Sequence, residues 1–127
     1  MKYLLDTHTL IWCFTEFESL SKNVVDIISD PEKTKFISIV SFFEITIKLK
    51  IDKLNIGISL DDLFKLAKNR NFVMLPIKQK HLNVYLTQIS FHKDPFDRLL
   101  VASAKSENLV LITSDKDIHQ YDVDWIW

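Results

Sequence analysis

The sequence predicts an α/β domain in which helices pack on a parallel sheet. Short apolar runs alternate along the chain with stretches of helical periodicity, which is the order of elements that βα units produce. The runs are apolar on consecutive residues, as expected of strands that are covered on both faces. With 127 residues, 47% of them hydrophobic, the chain has the size and apolar content of one domain with one core, spanning residues 1–127.

The predicted strands are short and separated by helical patterns. Four strand-like runs, and a weaker fifth, occupy residues 3–5, 36–39, 72–75, 109–112 and 123–127. These runs are rich in β-branched or aromatic residues and are too short to be helices. A sheet of four to five strands is therefore expected.

Four helical patterns fill the intervals, and their ends carry recognisable signals. The patterns cover residues 20–28, 59–67, 82–89 and 94–104. Asp30-Pro31 stops the first, and Ser59 with Asp62 forms a capping pattern at the start of the second. Asp94-Pro95 opens the last, because proline is favoured at the first helical position.

Residues 45–51 do not fit this outline, because they read I-T-I-K-L-K-I. A strict alternation of apolar and polar residues is typical of a strand. The alternative is a helix that gathers the apolar side chains on one face and Glu44 with Lys48 on another. Periodicity alone slightly favours the strand.

Composition excludes several classes of function. Gly57 is the only glycine, so there is no P-loop and no glycine-rich dinucleotide motif. Cys13 is the only cysteine, so a multi-cysteine zinc site and an internal disulfide are excluded. No histidine pair has the spacing of a zinc site. The net charge of −1 argues against binding nucleic acid by surface charge alone, although bound metal ions would change the field at a site.

The start of the chain does not resemble a secretory signal, and no apolar stretch is long enough for a membrane span. Lys2 is the only early positive charge, and Asp6 interrupts the first apolar run. We expect a cytoplasmic protein that does not associate with a membrane.

Four acids are placed where they can share one edge of the predicted sheet. Asp6 follows the first strand, Asp115 follows the strand at 109–112, and Glu44 lies five residues beyond the strand at 36–39. Asp97 sits one turn into the last helix. In an open parallel sheet, ligands bind outside the carboxyl ends of the strands, near the switch point. Carboxylate oxygens suit Mg²⁺ or Mn²⁺, and such metals support phosphodiester hydrolysis.

Each acid also has a structural interpretation. Asp94 and Asp97 could both serve as capping residues of their helix, and Asp115 could begin a short helix. Glu44 and Lys48 could be a surface ion pair one turn apart. Asp6 is the hardest to explain without a function, because it follows an apolar run directly. The tryptophans are better explained as core or interface residues than as platforms for nucleic-acid bases.

Four segments in order resemble the PIN domain, in particular the VapC-like toxins of prokaryotic toxin–antitoxin pairs. They read YLLDTHTLIW, SFFEITIK, HKDPFDRLLVASA and LVLITSDKDI, and together they cover nearly the whole chain. Departures are minor: Phe43 stands where this group often has tryptophan, and Ser103 lies in a stretch that often carries glutamine.

The resemblance implies a three-layer α/β/α fold and a Mg²⁺ or Mn²⁺ site lined by Asp6, Glu44, Asp97 and Asp115. It also implies cleavage of single-stranded RNA, homodimerisation, and inhibition by a small cognate antitoxin protein. Because the family places Glu44 on a helix, the resemblance predicts a helix over residues 45–51.

Two other functions are compatible with parts of the pattern. A PIN-like domain without catalysis could serve as a protein-interaction module, but such a module has no need of four mutually repelling acids. A receiver-like phospho-acceptor domain also clusters acids at strand ends. It would carry paired acids near the first strand, and Asp6 has no acidic neighbour.

Overall fold

A five-stranded parallel sheet forms the centre of the computed structural model, which describes residues 1–127. The strands are β1 (Lys2–Leu5), β2 (Thr34–Ser38), β3 (Val73–Leu75), β4 (Val110–Ile112) and β5 (Trp125–Ile126). They lie in the order β3-β2-β1-β4-β5, and every neighbouring pair is parallel. The predicted α/β class and parallel sheet are confirmed, and the fifth strand is present as a two-residue pairing.

Seven α-helices and one 3₁₀ turn connect the strands. The helices are α1 (Thr7–Phe14), α2 (Lys22–Ser29), α3 (Ile39–Lys50), α4 (Leu60–Asn69), α5 (Gln79–Thr87), α6 (Pro95–Glu107) and α7 (Lys116–His119), and the 3₁₀ turn is Phe17–Ser19. The four helical patterns of the sequence correspond to α2, α4, α5 and α6. The strand that alternation favours over residues 45–51 is wrong, because nearly all of this segment belongs to α3. No helix is both long enough and apolar enough to cross a membrane.

Helices cover both faces of the sheet and create two apolar cores, which gives the expected three layers. Alternate residues of a strand point to opposite faces. Tyr3 and Leu5 of β1 accordingly pack with residues of α1, α2 and α4, whereas Leu4 packs with residues of α6. Helix α5 packs against α6, on the face of the sheet to which Leu4 points.

The order of the strands places a switch point between β1 and β4. The chain moves outward from β1 to β2 and β3, then returns to the other side of β1 for β4 and β5. Leu5 at the end of β1 pairs with Ile112 at the end of β4, and the Asp6 N–H donates to the Ile112 carbonyl at 3.1 Å. Residues 72–75, which no acid follows, contribute the edge strand β3. The first strand and the strand that follows Leu109 are therefore neighbours in the sheet.

A buried histidine of α5 contacts α6, on the face of the sheet to which Leu4 points. His81 is fully buried; its Nδ1 accepts from the Lys78 N–H at 3.2 Å, and its Nε2 lies 3.5 Å from Glu107. Burial lowers the pKa of His81 below its usual value of 6.5. Lys80 and Lys78 bind the same glutamate, and Lys80 is the main reason that the pKa of Glu107 is lowered to about 2.

Replacing His81 with asparagine should flatten part of the pH dependence of stability. In the unfolded chain His81 is protonated below about pH 6.5, whereas in the folded protein it is protonated only below its lower folded pKa. The free energy of unfolding therefore decreases as the pH falls from 6.5 to the folded pKa. Urea melts at pH 7 and pH 5 measure the effect. We expect the stability of wild type relative to His81→Asn to fall as the pH drops. An unchanged difference would show that His81 is not buried in its neutral form.

Candidate active site

Asp6 lies at the switch point and begins α1. Its Oδ1 accepts a hydrogen bond from the Thr9 N–H at 2.8 Å, so it is the N-cap of a helix that the sequence did not predict. The residue is only 3% exposed. Burial raises the pKa of Asp6, although hydrogen bonds with Thr113 and Thr9 partly oppose this. Asp6 therefore has a structural role as a cap, but this role accounts for only one carboxylate oxygen.

Glu44 is a buried carboxylate with one unpartnered oxygen. Its helix, α3, follows β2 directly, and Ser38 caps it by accepting from the Val40 N–H at 3.0 Å. The Glu44 side chain is 7% exposed, and its Oε2 accepts from Lys48 Nζ at 2.7 Å. Its Oε1 is buried and has no hydrogen-bond partner. Leaving a buried acceptor unsatisfied is costly, so this pair is more than a surface ion pair.

Asp97 does not cap its helix; Asp94 does. Asp94 Oδ1 accepts from the N–H groups of Phe96 and Asp97, at 2.9 and 3.1 Å. The carboxylate of Asp97 instead meets His92 Nε2 at 3.2 Å. Burial is the main reason that the pKa of Asp97 is raised to about 6; contact with His92 lowers it, and the charges of Asp94, Glu44 and Asp115 raise it further.

His92 and Tyr121 form a support for Asp97 that the sequence did not reveal. The Tyr121 hydroxyl accepts from the Phe91 N–H at 3.1 Å and lies 2.8 Å from His92 Nδ1. The hydroxyl proton can therefore be donated to Nδ1, which leaves the Nε2 proton for Asp97. The only signal in the sequence is that His92 precedes Asp97 by five residues. Nothing local connects either residue with Tyr121.

Asp115 begins the short helix α7, as one interpretation of the sequence expected. Its Oδ1 accepts from the Asp117 N–H at 2.9 Å, and its own N–H donates to Thr113 Oγ1 at 3.1 Å. The side chain of Thr113, fully buried after β4, also lowers the pKa of Asp6. This threonine thus links the acid that follows β1 to the acid that follows β4.

The four acids lie at the same edge of the sheet, but their side chains do not form a complete set of metal ligands. Asp97 lies within electrostatic reach of Glu44 and Asp115, while Asp6 is linked to Asp115 through Thr113. As the side chains stand, no three His, Cys, Asp or Glu residues are close enough together to hold a metal ion. The donors are nonetheless all oxygen, and the free Glu44 Oε1 fits a hard cation such as Mg²⁺ or Mn²⁺.

Solved structures with the same fold include a toxin–antitoxin complex from Klebsiella pneumoniae and several VapBC and FitAB structures. VapBC2 from Rickettsia felis, bound to a promoter DNA fragment, contains a chain that superposes with a TM-score of 0.75 at 16% identity, covering 100% of this chain and 99% of that one. VapBC-1 from nontypeable Haemophilus influenzae gives 0.65 at 22% identity, covering 99% and 97%. FitAcB from Neisseria gonorrhoeae gives 0.64 at 21% identity, covering 100% and 97%.

These superpositions, all at 22% identity or less, show a shared fold. Membership of a family is shown by a family model. No curated protein sequence matches the chain. The model of the PIN domain matches residues 3–124, which is nearly the full length and includes all four acids. The resemblance seen in the sequence is therefore confirmed, and the chain belongs to the PIN domain family.

Proposed function

We propose that the protein is a Mg²⁺- or Mn²⁺-dependent endoribonuclease that hydrolyses phosphodiester bonds of single-stranded or structured RNA. Membership of the PIN domain family supports a nuclease. The observation that carries the metal dependence is the buried, unpartnered Oε1 of Glu44 at an edge shared with three further acids. A buried carboxylate oxygen without a partner is unfavourable, and a metal ion bound to Oε1 would remove that cost.

Asp6, Glu44, Asp97 and Asp115 would hold the metal. A bound divalent ion would lower the pKa of water and stabilise charge on a phosphoryl oxygen. The chain's own residues supply the positioning: the cap with Thr9 holds Asp6, and His92 with Tyr121 holds Asp97. Thr113 supports Asp6 and the Asp115 backbone from the end of β4.

Cleavage of a labelled single-stranded RNA, with and without added metal, tests this proposal. We expect cleavage with Mg²⁺ or Mn²⁺, its loss in excess EDTA, and its recovery when metal is restored. Full activity in EDTA would refute the metal dependence. Absence of cleavage with either metal, in a folded protein that still binds a partner, would favour the alternative of a catalytically inactive interaction module.

We also propose that the protein is the toxin of a toxin–antitoxin pair. A toxin–antitoxin complex from Klebsiella pneumoniae and structures of VapBC and FitAcB each contain a chain whose fold this chain shares over at least 98% of its length. The partner would be a small cognate antitoxin protein that blocks the acidic edge. A cytoplasmic location fits a toxin acting on RNA and a single, buried, unpaired cysteine.

Homodimerisation is proposed through the outer face of α5. Leu82, Leu86 and Ile89 lie on or just after this helix at helical spacing, and the last two are 82% and 77% exposed. Phe91, another exposed apolar residue, continues the patch. Large contiguous apolar patches on a protein surface typically mark interfaces. Phe42, in contrast, is buried and stacked on Phe64, so these two aromatics serve the core.

Leu86→Asp should convert the dimer into a folded monomer. A charge at the centre of an apolar interface is costly to bury, whereas the same residue in the monomer is almost fully exposed. Sedimentation velocity at micromolar concentration measures the change, and Lys65→Asp on the exposed side of α4 provides a control. A wild type that sediments as a monomer would exclude this interface, as would a Leu86→Asp protein that remains a dimer.

A further inference from the structure

One basic side chain lies within the acidic edge, and the metal chemistry does not account for it. Lys48 is one turn beyond Glu44 on α3, and its ammonium lies 2.7 Å from Glu44 Oε2. No other lysine or arginine forms an ion pair with any of the four acids. Lys48 is therefore the one lysine or arginine that pairs directly with this group.

We propose that Lys48 takes the place of the metal at Glu44 in the metal-free protein, and that the same ammonium binds an RNA phosphate once it is released. This inference rests on the proposed nuclease function. Glu44 is buried and has one oxygen left unpaired, so the lysine compensates it only in part. A divalent ion at Glu44 and an ammonium at the same carboxylate repel each other, and binding of the ion weakens the hold on Lys48.

The exposure of the two partners supports a lysine that moves. The Glu44 side chain is 7% exposed, whereas that of Lys48 is 38% exposed and carries the longer, more flexible stem. Burial restricts the side chain of Glu44, whereas the side chain of Lys48 can rotate toward solvent without a change in the backbone. Once released from Glu44, the Lys48 ammonium would place a positive charge beside an edge that is otherwise acidic. A polyanionic substrate must approach that edge, and the charge would attract it.

The proposal predicts effects of opposite sign on metal binding and on substrate use. In Lys48→Met, Mn²⁺ should bind about three- to tenfold more tightly, because a competing cation has been removed. The KM for single-stranded RNA should rise about tenfold, because one charge-assisted phosphate contact is lost. A lysine that only orients Glu44 would give the reverse for the metal: Mn²⁺ would bind the variant more weakly.

Titration of Mn²⁺, followed by the electron paramagnetic resonance of the free ion, measures the first effect without any need for activity. Lys50→Met, on the same helix and exposed, is the matched control and should bind Mn²⁺ like the wild type. Lys48→Arg keeps the charge and should also stay close to wild type. Weaker or unchanged Mn²⁺ binding by Lys48→Met would overturn the role of Lys48 while leaving the metal site intact. A wild type that binds no Mn²⁺ would overturn both proposals.

Discussion

Asp6→Asn should abolish RNA cleavage without unfolding the protein. The change removes a charge from the centre of the proposed metal site, and we expect activity to fall by a factor on the order of 10²–10³, typical of losing one group that stabilises a transition state. Asparagine caps helices about as well as aspartate, so the start of α1 should persist. An RNA cleavage assay and a thermal melt of the same preparation measure the two effects.

The direction in which Asp6→Asn changes the melting temperature distinguishes a functional role of Asp6 from a structural one. Burial raises its folded pKa above 3.8, so the ionised carboxylate becomes destabilising as the pH rises through that folded pKa. At pH 7, metal-free Asp6→Asn should therefore melt at the same temperature as wild type or higher. Asp6→Ala, which also loses the cap, should cost about 0.5–2 kcal/mol. Asp6→Asn with full activity would remove Asp6 from the site.

Asp97→Asn should also abolish cleavage, and it should reduce the stabilisation that added Mg²⁺ provides. Binding to the folded state adds RT ln(1 + [L]/Kd), so a variant with weaker metal affinity melts with a smaller Mg²⁺-induced shift. In the metal-free protein, a pKa raised to about 6 makes ionised Asp97 unfavourable, and this penalty grows as the pH rises from about 4 through 6. The variant should then be as stable as wild type at pH 7, or more stable.

Asp94→Asn supplies the matched control for Asp97. It makes the same substitution three residues earlier and keeps an acceptor for the Phe96 and Asp97 N–H groups. We expect this variant to retain most of its activity and the Mg²⁺-induced shift. If Asp97→Asn behaves like Asp94→Asn in both assays, Asp97 has a structural role only.

The sheet could be predicted from the sequence, because its strands are covered on both faces and read as continuous apolar runs. Helices α1 and α3 could not be predicted from pattern alone. Residues 7–14 contain Thr7, Thr9 and Ile11, whose β-branched side chains favour strands, and residues 45–51 alternate as a strand does. Tertiary packing overrides these preferences: Leu10 of α1 and Ile45 of α3 are fully buried in the core.

The sequence indicated which four acids to consider for the candidate site, but not the contacts that surround them. Positions at strand ends indicated that Asp6 and Asp115 follow neighbouring strands, because β1 and β4 are paired at the switch point. The burial of Glu44 and its unpartnered oxygen depend on how α3 packs, which no local pattern encodes. The same holds for Tyr121, which reaches His92 from a part of the chain 29 residues away. The contact from Lys48 follows from its spacing of one helical turn and was one of the sequence interpretations.

The arrangement of the four acids around a metal is tested most directly by a crystal structure grown or soaked with Mn²⁺, in which anomalous scattering locates the ion. We expect a Mn²⁺ peak at the switch point, bonded to oxygens of Asp6, Glu44, Asp97 or Asp115 at about 2.0–2.6 Å. The carboxylates should lie closer together than in the arrangement described here. A well-ordered crystal at saturating Mn²⁺ with no peak at this edge, or with the ion bound elsewhere, would contradict the metal site.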